Sequence, residues 1–125
     1  MTAFGIPSIA PLEAAQRLEA GAADGAGAPL VVDVRNPDEF AADRIAGAVL
    51  VPLPEFAARF RELPADRPLF LVCHSGSRSA AATAHLVRNG YPLAVNLTGG
   101  MVAWGAARLP IRTGPPEPGE GDLAS

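Results

Sequence analysis

Short apolar runs recur along the chain, separated by stretches whose apolar positions fall at helical spacing. Leu30-Val31-Val32-Asp33-Val34 is β-branched and nearly continuous, the pattern of a strand buried on both faces. Ala48-Val49-Leu50-Val51, Leu69-Phe70-Leu71-Val72 and Ala94-Val95-Asn96-Leu97 read as further strands. Helical segments lie between them. Pro11 opens one over Leu12 to Ala20, with Leu12, Ala15 and Leu18 on one face and Gly21 as its end. Asn36-Pro37-Asp38-Glu39 supplies a cap, a proline at the first helical position and a carboxylate at the third, which predicts a short helix through Asp43. Pro54 to Phe60, about Ser79 to Asn89 (stopped by Gly90), and Met101 to Arg108 (stopped by Pro110) complete the helical set. Gly21 to Pro29 reads as a small flexible connection. Strands alternating with helices imply parallel pairing through right-handed crossovers. The expected fold is therefore α/β, a small parallel β-sheet flanked by helices on both faces. Residues 1–112 form the expected single domain, and 113–125, rich in Pro, Gly and Glu, an expected disordered tail.

At 125 residues with 49% hydrophobic content the chain suits one globular domain. The net charge of −3, with no basic block, gives no footprint for nucleic acid. Met1 to Ala10 lacks the basic start and apolar core of a targeting segment, and no stretch is long enough to span a membrane. A cytoplasmic location is expected. The single cysteine excludes an internal disulfide, and with only His74 and His85 beside it no metal site is expected.

That cysteine, Cys73, lies where Leu69–Val72 gives way to the turn-forming His74-Ser75-Gly76-Ser77-Arg78 and then an alanine-rich helix. In parallel sheets, ligands gather at the carboxyl ends of strands. A tight loop leading into a helix turns several N–H groups and a positive helix end toward that point, surroundings that favour a thiolate. Arg78 can bind anionic oxygens with its fork or deepen the positive potential. Ser75, Ser77 and Ser79 can donate hydroxyl bonds, though main-chain contacts are expected to matter more. Gly76 supplies the bend. His74 either touches substrate or is solvated. Asp33, Arg35 and Glu39 read as an ion-pair and capping arrangement that stiffens the neighbouring loop, and Trp104 as core packing.

Val31-Val32-Asp33-Val34-Arg35, Asp38-Glu39-Phe40, Ile45-Ala46-Gly47-Ala48, Cys73-His74-Ser75-Gly76-Ser77-Arg78-Ser79, Leu97-Thr98-Gly99-Gly100, Trp104 and Leu109-Pro110 together resemble the successive signatures of the rhodanese family. The resemblance spans roughly Ser8 to Ile111. It implies a helix-flanked parallel sheet and sulfane-sulfur transfer through a persulfide on Cys73, of the thiosulfate sulfurtransferase type and without a cofactor. It further implies a small-molecule donor such as thiosulfate and an acceptor that is cyanide, a cellular thiol or a protein thiol. Residues His74 to Ser79 would surround the substrate, with Asp33, Arg35 and Glu39 in support.

Two other readings stand beside this one. A rhodanese-like relay or binding module would serve one protein partner with the same persulfide. A phosphatase is disfavoured because the loop reads Cys-x4-Arg, whereas the related cysteine-dependent phosphatases resemble Cys-x5-Arg and hold a wider anion. The chain departs from the family at Arg44 and Ala46, where histidine and proline are usual. Altered local packing is expected there, with a change of acceptor preference only if Arg44 faces the mouth of the site.

Overall fold

The computed structural model of the chain describes residues 2–3, 5–21 and 27–123. Its strands are β1 (Thr2–Ala3), β2 (Ile6–Ile9), β3 (Leu30–Asp33), β4 (Asp43–Arg44), β5 (Val49–Leu50), β6 (Leu69–Val72), β7 (Ala94–Leu97) and β8 (Arg112–Thr113). The helices are α1 (Pro11–Ala20), α2 (Pro37–Ala42), α3 (Leu53–Arg59), α4 (Ser77–Arg88) and α5 (Gly100–Ala106), with a 3-10 turn over Phe60–Glu62. The main sheet runs β1-β2-β7-β6-β3-β5. Its pairings are parallel except β1 with β2. β4 and β8 form a separate antiparallel ribbon.

Every residue of β6 is buried, as a central strand covered on both faces requires. The alternating side chains of the sheet divide the core in two. Leu69, Leu71 and Val32 pack with Phe56, Phe60 and Leu86 on one face, and Phe70, Val72 and Val31 with Phe40, Met101 and Trp104 on the other. Asp33 of β3 pairs with Val72 of β6, and Leu71 of β6 with Asn96 of β7, so these strands end at one edge. The turns that follow them therefore meet there.

The α/β architecture agrees with the sequence reading, with three differences. β2 went unread because Ile6-Pro7-Ser8-Ile9 is short and carries a proline, yet it pairs with β7 at Ser8 and Ile9. Helix α4 begins at Ser77 rather than Ser79, which brings its start into the loop. The connection expected to be flexible lies in part, at residues 22–26, outside the described residues.

The third difference is the tail. Expected to be disordered from residue 113, it folds back onto the domain over its described length. The Leu50 N–H donates to the Gly121 carbonyl at 2.7 Å, covering the open edge of β5, and Leu123 packs on the core. Glu120 receives Arg44 through Nε at 2.6 Å and Nη2 at 3.0 Å. The Nη1 of Arg44 donates to the carbonyls of Phe40 at 3.2 Å and Gly114 at 2.7 Å. Arg44 is 2% exposed, and this pairing holds the Glu120 carboxyl down to about 2. Arg44 thus faces the tail and not the mouth of the site, and the condition for an altered acceptor preference is not met.

Candidate active site

Cys73 follows β6 directly and is 1% exposed. The main-chain N–H of Gly76 donates to its Sγ at 3.1 Å, and the Ser79 hydroxyl donates at 3.3 Å. Burial pushes the thiol up. The Ser79 hydroxyl, then the main-chain N–H groups of Ser79, Gly76 and Arg78, together outweigh it, and the pKa falls below the ordinary 9.0. Main-chain contacts were expected to matter more than hydroxyls; here the Ser79 hydroxyl acts beside three main-chain N–H groups. The Ser79 Oγ also lies 3.2 Å from the Gly76 carbonyl oxygen, so its one hydrogen can turn from that carbonyl to the sulfur when the sulfur is ionised.

Two glycines give the loop its shape. Gly76 caps α4 at φ +110, in the left-handed region that side chains resist. Its carbonyl is fixed from below by the Ala80 N–H at 3.0 Å and by the Asn96 side-chain amide at 3.4 Å. The start of α5 lies against the other side of the loop. The N–H groups of Met101 and Val102, which have no partner inside their own helix, donate to the carbonyls of Cys73 at 2.8 Å and His74 at 3.0 Å. This approach is possible because Gly100 has no Cβ; one placed there would collide with the carbonyls of Cys73 and His74.

Asp33, Arg35 and Glu39, read as an ion-pair and capping arrangement, form an ion pair and a cap at two neighbouring places. Asp33 and Arg35 pair through Nε at 3.0 and 3.1 Å and Nη2 at 2.8 Å, and Arg35 continues to the Asp43 carboxylate at 2.9 Å. Glu39 belongs instead to the sulfur loop. It takes Arg78 in a two-pronged contact at 2.8 and 2.9 Å while accepting the Asn36 N–H at 3.0 Å. Arg78 holds the Glu39 carboxyl down to about 2, chiefly through these bonds. Arg78, read either as a fork for anionic oxygens or as a source of positive potential at the mouth, here has its fork on a carboxylate.

His74, Ser75 and Ser77 are exposed on the rim. A pocket of about 460 Å³ adjoins the loop, lined by Ser75, Gly76, Ser77, Asn96 and Thr98 among others. Asn96, Asp43 and the buttressing role of the start of α5 were not singled out from the sequence; Gly99-Gly100 entered only as part of the family resemblance. Trp104 is core, its indole N–H donating to the Pro110 carbonyl at 2.9 Å. His85 packs edge-on against Phe60, with ring centres 4.6 Å apart.

A parallel α/β sheet whose central strand leads into a buried cysteine, with donors of the next turn at its sulfur, is the arrangement to set beside known proteins. The model of the rhodanese-like domain matches residues 10–107, and the chain belongs to that family. A sulfurtransferase of Allochromatium vinosum is 42% identical over 82 residues, covering 66% of this chain and 77% of that one. The thiosulfate sulfurtransferase GlpE of Pseudomonas putida is 36% identical over 91 residues, 73% of this chain and 80% of that one. A crystal structure of a rhodanese-related protein from Thermoplasma volcanium aligns with a TM-score of 0.75 at 27% identity, covering 85% of this chain and 97% of its own.

Proposed function

We propose that this chain is a sulfurtransferase that carries a sulfane sulfur as a persulfide on Cys73. The observation that carries the reading is the convergence of the Gly76 N–H and the Ser79 hydroxyl on a buried Sγ. Donors fixed in a loop can hold a thiolate, and the same donors suit the outer sulfur of a persulfide. In the first step the Cys73 thiolate attacks the sulfane sulfur of the donor. With thiosulfate, the Sγ–S bond forms as the S–S bond breaks, and sulfite leaves with the electron pair. In the second step cyanide, a small thiol or a protein thiol attacks the outer sulfur, and Cys73 leaves as thiolate. A thiol that must stay reduced between turnovers suits the cytoplasm, and no helix among the described residues is long and apolar enough to cross a membrane.

The sulfur loop supports this over ester hydrolysis, because Sγ already draws N–H groups from within a Cys-x4-Arg turn. The test is intact-mass measurement after exposure to thiosulfate or an alkyl persulfide, beside Cys73→Ala. The wild type should gain one sulfur and the variant none. Equal gain by the variant, or aryl phosphate hydrolysis without sulfur gain, would overturn the reading.

A further inference from the structure

Arg78 is the cation of the sulfur loop, and it is not at liberty. Its two terminal nitrogens lie 2.8 and 2.9 Å from the two oxygens of Glu39, an arrangement in which charge and geometry are both matched. Glu39 is held from its other side by the Asn36 N–H, at the start of α2, so the carboxylate cannot swing away without giving up that bond too. The next cation on this edge of the sheet, Arg35, is enclosed by Asp33 and Asp43. The arginine charge that a dianionic donor would seek is therefore compensated on the spot. The main-chain N–H of Gly76 and the Ser79 hydroxyl are directed at Sγ itself.

These charges bear unequally on the donors open to a sulfurtransferase. Thiosulfate brings two negative charges toward a thiolate and needs a counter-charge at its oxygens. A carbon-bound persulfide brings at most one, as R–S–S⁻, and none when protonated, and it has no oxygens that call for a guanidinium. The protonated form reacts without a cation: the Cys73 thiolate takes the outer sulfur together with its proton, the donor S–S bond breaks, and R–S⁻ leaves with the electron pair.

We propose that the Glu39–Arg78 pair sets donor choice, withholding the guanidinium from anionic donors and directing the site toward alkyl or protein persulfides. The inference rests on the sulfurtransferase reading above and deepens it. Glu39 is then a specificity-determining residue that acts through Arg78 rather than by touching sulfur.

The test compares loading of Cys73 from thiosulfate and from the persulfide of 2-mercaptoethanol, each as kcat/KM, in the wild type, Glu39→Gln and Glu39→Gln/Arg78→Gln. Glutamine keeps an acceptor for the Asn36 N–H, which guards the start of α2. The wild type should favour the persulfide. Glu39→Gln should move the donor ratio toward thiosulfate by about tenfold, chiefly through KM, and high salt should erase the gain. The double variant should return the ratio toward that of the wild type, because the gain belongs to the released guanidinium. A wild type that favours thiosulfate, or a Glu39→Gln ratio that does not move, overturns the donor inference alone; the wild-type ratio decides even if the variants fold poorly. Loading from neither donor would overturn the sulfurtransferase reading as well.

Discussion

The loop around Cys73 and the ribbon around Arg44 each bury an ionisable group, by opposite means. Cys73 is encircled by donors that belong to the backbone of its own turn, with one serine hydroxyl added. Arg44 is satisfied from a distance in sequence: its guanidinium meets a carboxylate 76 positions along the chain and the carbonyl of Gly114. Main-chain donors stay in place while a sulfur atom comes and goes, so the loop can serve a reacting group. The Arg44 contacts close completely on one side chain and leave nothing free to react. One region is built for exchange, the other for closure.

If that contrast is right, the largest effect comes from disturbing the loop through its buttress. Gly100→Ala places a methyl group against the carbonyls of Cys73 and His74. Sulfur loading should fall by about a hundredfold, the scale of a displacement near 1 Å at a reacting group, as read by single-turnover kinetics. Retained loading would mean that α5 does not hold the loop. Deleting residues 114–123 attacks the other region. It removes Glu120 from a buried guanidinium and uncovers β5, and should lower Tm by on the order of 5 °C or more. Loading of Cys73 should change by less than about threefold, because the sites share no partner. A large loss of loading would erase the distinction between the two regions. The finest adjustment is Ser79→Ala, which leaves the main-chain N–H donors in place and should shift the Cys73 pKa upward and lower the thiolate fraction near neutrality, as read by thiolate absorbance.

Much of the fold was legible because central parallel strands have continuous apolar runs. Leu69–Val72 and Leu30–Val34 could be read without any tertiary information, and so could the cap and proline at Asn36-Pro37. The sulfur loop was legible for the same reason, being the abrupt end of such a run in Gly and Ser. What escaped depends on partners far apart in sequence. Ile6–Ile9 is a strand because β7 offers it an edge, not because its own pattern demands it. The tail is Gly- and Pro-rich, as disordered segments are, and only the buried Arg44 reveals why Glu120 and Leu123 stay down. Asp33, Arg35 and Glu39 were legible as an ion pair and a cap; that the turn of α2 also presents Glu39 to Arg78 was not, because Arg78 lies 39 positions along the chain.

The loop's central claim is that fixed donors keep a buried sulfur ionised. With one cysteine in the chain, ultraviolet titration of thiolate absorbance reports on Cys73 alone. The folded wild type should titrate below 9.0, with the midpoint returning to the ordinary thiol range on unfolding. Thiolate and persulfide loading should therefore rise together as pH climbs through that lowered midpoint, then level off. A folded midpoint at or above 9.0 would show that burial wins over the surrounding donors, and would contradict the account.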